Sequence, residues 1–418
     1  MVRITNWIEI PIWSCYETMT TSRNFVASER LTALSRRTTT AMAIAAGLAV
    51  ANVYVAHPLL DLIGKSLAFH PAEIGFAITL AQIGYAIGLI FLVPLTDVMD
   101  RRRLILGQTT LSAAALVAVA CAPTPGVLLA SLSVVGGLAV TVQTLVAYAG
   151  ALAPPQERGI VVGKVTSGIV VGILAARAIS GCVGDLLGWR AVYLLAAAAS
   201  AIAALALSWM LPTDGRQSGQ KRYGEVLRSL PRLFLGDRTL RLRATFAFII
   251  FAAFSIFWTA LVLPLTAPSS GLSHTQVGLF GLVGIAGAIS ARSAGRLTDL
   301  GHARLVTGAS LLLLCFSWGV IAMLPLSLWW LAAGIVLLDL AVQAVHVTSQ
   351  TLIVDRHPDS AGRAIAGYMV LYSLGSATGA AIAPLMYSLW GWGGVCVAGG
   401  VISAAGFLLW IASGRFEH

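Results

Sequence analysis

Asp339, Gln343, His346 and Gln350 interrupt an otherwise apolar stretch at spacings of i, i+4, i+7 and i+11. On a helix they share an arc of about 60° and make a polar stripe roughly 16 Å long. A carboxylate and an imidazole on one face can take up and release protons. Asp339 falls near the middle of its stretch, where a lone charge costs about 2.5–3.5 kcal/mol on insertion scales, so it must face the protein interior or water. His346 lies about 10 Å further along the same face. Two readings compete for the pair. Either they form a proton-handling site, or Asp339 is a structural acid paired across helices and His346 a satisfied core histidine.

Arg177 is a second buried-charge candidate, the one basic residue deep within an apolar stretch. A permanent cation there either binds an anionic substrate or answers Asp61, near the end of another apolar stretch. Tyr54, His57 and Asp61 follow one another at i, i+3 and i+7 on one helix face, and His57 precedes the helix-interrupting Pro58. Asn52, Gln82, Tyr85, Gln143, Trp258, Tyr368 and Tyr372 complete the residues that would line a polar cavity. Each is also explained by a single bond between helices. Trp329, Trp330, Trp390 and Trp392 sit at predicted boundaries and read as interfacial anchors.

The elements that position these residues are apolar helices. Of 418 residues 58% are hydrophobic and only 11% charged, with a mean hydropathy of +0.86, too little charge to cover a water-facing surface. Twelve apolar stretches can each span a bilayer, at about 39–64, 73–95, 104–122, 126–152, 159–184, 190–212, 244–267, 276–296, 304–324, 327–352, 363–387 and 393–413. No stretch alternates as a membrane barrel strand must. All 27 lysines and arginines except Lys65, Arg177 and Arg190 fall on one side of this arrangement. That asymmetry places both termini in the cytoplasm of a protein of the cell (inner) membrane.

The divisions that follow are an N-terminal arm (1–38), a first six-span bundle (39–212), a basic linker (213–243), a second bundle (244–413) and a tail (414–418). The arm carries no cleavable leader, since its apolar patch is short and holds Glu9. Either Met1 or Met19 could begin the chain. The linker's arginines suit anionic headgroups, or simply solvation on the basic side. The net charge of +10 does not indicate nucleic acid, because no basic run is interleaved with stacking aromatics. The five cysteines have no metal-ligand spacing. No phosphate-binding G-x-x-x-x-G-K-[ST] occurs, so ATP hydrolysis is not expected, and with no nucleophile–base or metal set recognisable neither an enzyme, a cofactor nor a metal is expected.

The two halves repeat each other. Leu95-Thr96-Asp97, followed by Arg101, Arg102 and Arg103, returns half a chain later as Leu297-Thr298-Asp299, followed by Arg304. Glu73-Ile74-Gly75 matches Gln276-Val277-Gly278, Leu138-Ala139-Val140 matches Leu340-Ala341-Val342, and Gly188-Trp189 matches Gly391-Trp392, at a nearly constant offset. Paired halves are a common transporter construction.

Twelve spans, a basic central linker and this phrase after spans 2 and 8 resemble the major facilitator superfamily over about residues 39–413. Its signature after span 2, G-x-L-a-D-R-x-G-R-R, reads here Val93-Pro94-Leu95-Thr96-Asp97-Val98-Met99-Asp100-Arg101-Arg102. The acid and the arginines match; both glycines and the first basic residue do not. The resemblance implies an all-α membrane protein of 12 transmembrane helices in two six-helix bundles related by pseudo-twofold symmetry. It also implies alternating access around a central site. Asp97, Arg101 and Arg102, with Asp299 in the second copy, are then the latch that joins the halves in the outward-facing state. The expected function is proton-coupled efflux of a small organic molecule by a monomer, with Asp339 and His346 as the proton site. Proton symport importing a sugar, acid or metabolite is the alternative, and a receptor or scaffold on the same fold is the non-transport one. The span-4 arginine and span-5 G-P pair of many antiporters of this family are not evident here.

Overall fold

In hydrocarbon a backbone must satisfy its own polar groups, which leaves long apolar runs the choice of helix or closed barrel. The computed structural model describes residues 35–70, 72–154, 157–212, 223–268, 270–284, 293–357 and 360–414, and every regular element among them is helical. Helix α1 (Arg36–Tyr54) stops short of Pro58, a 3-10 turn (His57–Leu59) carries the chain past it, and α2 (Leu60–Ser66) completes the first span. The second span is α3 (Phe76–Phe91) with a 3-10 turn at Val93–Asp97 around Pro94. Next comes α4 (Arg101–Ala120), capped by the Asp100 side chain on the Arg103 N–H at 3.2 Å. The fourth span is broken into α5 (Pro125–Leu138) and α6 (Thr141–Leu152), and α7 (Arg158–Leu187) and α8 (Trp189–Met210) close the first half.

Helix α9 (Tyr223–Gly236) precedes the second half. Its Tyr223 hydroxyl donates to the Phe91 carbonyl. Then follow α10 (Arg238–Ala260), α11 (Val262–Thr266) and α12 (His274–Val283). The apolar run Ser293–Ile321 contains a π-turn at Thr298–His302 and α13 (Ala303–Ile321). Last come α14 (Leu328–Arg356) and α15 (Ala361–Ser413), which reverses at Trp390–Gly391. Among the described residues ten helices are long and apolar enough to cross a membrane. With α15 supplying two passes and α12 opening another, the twelve expected spans are accommodated. Arg36, Arg101, Arg158, Arg238, Arg304 and Arg356 mark one end of the helices, here termed the basic end.

Two expectations about the linker are corrected. The seventh span begins at Arg238, because Asp237 caps it through the Leu240 N–H at 3.1 Å. Arg243 is therefore not a headgroup-facing linker residue: it is buried, bonded to Thr307 Oγ1 at 2.9 Å. Residues 1–34, 213–222 and 415–418 lie outside the described residues.

The internal repeat is visible in the backbone. Gly188 and Gly391, the paired glycines of the two halves, turn the chain at φ of 83° and 60°, a conformation only glycine adopts without strain. Within the first half, α3 and α5 cross where neither has a side chain in the way. A Cβ on Gly84 would overlap the Ser133 carbonyl, and one on Gly136 the Ala81 carbonyl. Close crossings of this kind supply the dispersion contacts that hold helices together in lipid. Between the halves, α3 lies along α15 and α7 along α12. Thr79 donates to the Ala377 carbonyl at 3.1 Å and Ser373 to the Gln82 carbonyl at 2.5 Å.

Replacing Gly136 with leucine is expected to force α3 and α5 apart and cost about 1–3 kcal/mol or more, read as a lower unfolding temperature in detergent. Gly107, where an added Cβ would meet nothing within 4 Å, is the control: its alanine variant should be neutral or slightly stabilising.

Candidate functional site

Arg177 and Asp339 are brought together where the halves meet, and α12 explains how. Gly278 packs on the Arg177 carbonyl, and a Cβ on Gly281 would come within 2.9 Å of the Arg177 side chain. One turn on, a Cβ on Gly284 would collide with Asp339 Oδ2. Absent side chains on α12 thus make room for a cation from the first half and a carboxylate from the second.

The guanidinium of Arg177 lies 3.6 Å from the centre of the Trp258 ring, 5.3 Å from that of Tyr54 and 5.6 Å from that of Phe254. Aromatic faces attract a cation but cannot satisfy its N–H groups. Nε and Nη2 of Arg177, Nε1 of Trp258 and Oδ1 of Asp339 are all buried with no hydrogen-bond partner among the described residues. Trp258 approaches Asp339 without closing a hydrogen bond. Arg177 and Asp339 attract each other yet form no ion pair. At 3% and 6% exposure they are the unsatisfied charges of the junction.

A polar and aromatic wall extends from this pair. Tyr54 and Tyr372 share a hydrogen bond across the junction at 2.9 Å, so Tyr54 is interior. Tyr85 accepts from Gln143 at 3.3 Å and meets Tyr372 edge-on. His346 shares a 2.8 Å bond with the Tyr368 hydroxyl and lies against Phe251. Gln343 is half-buried on the same helix, and Gln350 reaches Met369 Sδ at 4.0 Å. His57 stacks on Tyr54 and shares a 3.2 Å bond with its carbonyl.

Other sequence-derived candidates lie elsewhere. Asn52 is not at the junction: its amide donates to Ser200 at 3.2 Å and Ser112 at 3.5 Å, tying α1, α4 and α8 inside the first half. Asp61 does not answer Arg177, because it is bound to Lys65 at 2.9 Å and approaches His274 at 3.5 Å. Arg101 donates locally to the Thr96 carbonyl, and Arg102 to that of Ser208 at 2.6 Å, within the first half. The exposed carboxylates of Asp97 and Asp299 bond no other described residue. Trp329, Trp330 and Trp390 are exposed, whereas Trp392 donates to the Ile321 carbonyl.

One contact between the halves escaped the sequence reading. Asp185, at the end of α7, caps the start of α12. One oxygen accepts from the His274 N–H at 3.2 Å, the other from the Thr275 N–H at 2.7 Å and its hydroxyl at 2.6 Å. His274 Nδ1 lies 2.8 Å from Asp185 while Nε2 faces Asp61. A carboxylate on four donors at a helix start is a strong, geometrically specific contact. It sits opposite the basic end. A neutral imidazole offers one N–H, so two facing carboxylates favour the protonated ring. Hydrogen bonding to Asp61 and Asp185 raises the His274 pKa despite partial burial.

Comparison with known proteins agrees with this architecture. The family model described as Major Facilitator Superfamily matches residues 42–299 and 243–415. The uncharacterized transporter YgaY of Escherichia coli O157:H7 is 42% identical over 88% of this chain and 93% of its own length. A probable transporter of Streptomyces coelicolor, SCO4007, is 32% identical over 86% of this chain and 83% of its own. Among solved structures, an inward-facing, occupied bacterial homologue of the human lysosomal transporter Spinster superimposes with a TM-score of 0.73. It shares 15% identity, covering 90% of this chain and 96% of that one.

The cap carries a pH prediction. A raised His274 pKa means the protonated bridge is complete below about 6.5 and is lost as pH rises through the higher, bridged value. The unfolding temperature in detergent should therefore fall as pH rises above neutrality. In His274→Gln the fall should shrink, and in Asp185→Asn the protein should be less stable at every pH. A His274→Gln variant with the wild-type pH profile would refute the bridge.

Proposed function

The chain belongs to the major facilitator superfamily and is a multi-pass membrane transporter of that type, and from that premise we propose that it exchanges protons for a small organic molecule by alternating access. Residues 39–212 and 238–413 act as the two moving bodies, joined by residues 213–237. The basic end faces the cytoplasm of the cell membrane, as do both termini, and the unit is a monomer. Asp339 is the proton carrier, and His346 extends its proton path along the same helix face.

The observation that supports this reading most directly is a carboxylate and a cation from opposite halves, buried at the junction and left unpaired by the fold. A structural ion pair would have closed. An unpaired one costs stability, and charges kept inside a membrane protein at such a cost mark transport pathways. Neutralising Asp339 with a proton changes the field at Arg177, the junction and Tyr54 together. Energy comes from the gradient: one charge moved through 100 mV is worth about 2.3 kcal/mol.

The two ends of the junction suit a cycle. The Asp185 cap joins the halves opposite the basic end, while Asp97 bonds no other described residue. This is the arrangement of a state closed to the outside. In the opposite state the cap breaks, and Asp97 with Arg101 and Arg102 latches the basic end, assisted by Asp299.

The test is a substrate panel in proteoliposomes under an imposed pH gradient. Gradient-driven flux in Asp339→Asn should drop about tenfold or more while substrate binding persists. Unchanged coupled flux would remove Asp339 as the carrier. Protons moving with the substrate instead of against it would establish symport.

A further inference from the structure

Arg177 carries a charge for which the fold provides no anion among the described residues, and this restricts what the site can accept. The restriction rests on the reading of this junction as the transport site. The guanidinium is packed among the rings of Trp258, Tyr54 and Phe254. Its edge keeps two unpartnered donors, and the Trp258 N–H is a third. A planar fork held among aromatic rings, with two adjacent donors unpartnered, is preorganised for a planar two-oxygen acceptor.

Among the described residues, other acceptors are absent or committed. Asp61 is held by Lys65 and His274, and Asp185 by the start of α12. The Tyr54 and Tyr372 hydroxyls are bonded to each other, and the carbonyl of Tyr54 engages His57. Asp339 is the one described carboxylate that remains nearby, and it forms no pair with Arg177. The small void lined by His57, Pro58, Arg177, Trp258 and Val277 has room for about one water, not for an organic body. A larger guest therefore needs the halves to part at this junction, where Phe254, Trp258 and Tyr372 provide an aromatic wall beside Arg177.

We infer that the site binds a small organic carboxylate with a planar apolar body, its two oxygens on the edge of Arg177 and its body against the aromatic wall. Asp339 is then the rival of the bound anion for the same cation. Removing the charge of Asp339 strengthens substrate binding, so proton and carboxylate bind together, and for such a substrate the junction follows the symport alternative in place of the exchange proposed above. Among the described residues, the charged and titratable groups that interact with Asp339 are Arg177 on α7 and Tyr54 of the first span. A cationic guest would meet the unshielded Arg177.

Benzoate is the probe, with benzamide as its neutral isostere and benzylamine as the cation. Binding is measured on the purified full-length protein in detergent, by calorimetry and by ligand-induced thermal stabilisation. No gradient is imposed, so the outcome is independent of whether Asp339 carries protons in vesicles. Benzoate should bind about tenfold or more tightly than benzamide, the discrimination expected when buried charged donors lose an acceptor. Arg177→Gln should abolish that preference, and Arg177→Lys should restore it in part. Asp339→Asn should bind benzoate more tightly than wild type. Equal binding of benzoate and benzamide, preference for benzylamine, no binding of benzoate at millimolar concentration, or weaker benzoate binding by Asp339→Asn would each overturn the inference. All four are decided without any Arg177 variant, should those fail to fold.

Discussion

Every charge that this chain buries has to be answered from within the protein, because hydrocarbon offers it neither water nor counterions. Most are answered. Arg243 bonds Thr307. Asp237, at the head of α10, pairs with Arg356 and His357 while capping Leu240, which ties the seventh span to the tenth. Even the exposed Arg190 reaches the Ala122 carbonyl and Ser66, lying over the Trp189 ring. These contacts stay within one half and hold it rigid. Against that background the incomplete bonding of Arg177 and Asp339 is a distinguishing feature, since it falls where the halves meet.

The same constraint separates two kinds of contact between halves. Some are neutral and unspecific in charge, such as Thr79 on Ala377 and Ser373 on Gln82, where a hydroxyl borrows a carbonyl already used in a helix. Such bonds average well under 1 kcal/mol in membranes and yield readily. The Asp185 cap is charged, multidentate and tied to backbone that has no other partner. Breaking it leaves helix N–H groups unsatisfied unless water reaches them. At the end facing aqueous solution water can do so, which lets the contact be both strong and reversible.

Much of the architecture was legible in the sequence because membrane helices announce themselves by length and composition. The pairing of Gly188 with Gly391 was readable as a repeat, and both turn out to need a left-handed backbone. Asp339 and Arg177 were readable because charge inside an apolar run is rare. Their surroundings were less so. Asn52 is as polar as Gln82 and sits as deep, yet one binds inside a half and the other between halves, a difference of helix rotation that periodicity alone does not fix. Asp185 and His274 lie 89 residues apart near span ends, where polar residues are ordinary, and only the fold shows that one caps the other. Arg243 looked like a linker residue because basic linkers are common, but the Asp237 cap starts the helix before it.

Helix α12 joins these observations into one mechanical unit. It is ten residues long, about 15 Å, and packed on α7 along its length. Its first turn is held by Asp185. Its last turn and the glycine after it supply the space for Arg177 and Asp339. A rigid element gripped at one end by the closing contact and at the other by the charged pair cannot move at only one of them. Loss of the cap displaces the glycines that accommodate both charges. A change in charge at Asp339 alters the packing against the helix that the cap holds. Under the cycle proposed above, coupling between the cap and the charged pair would run through this one short helix and need no long chain of intermediates.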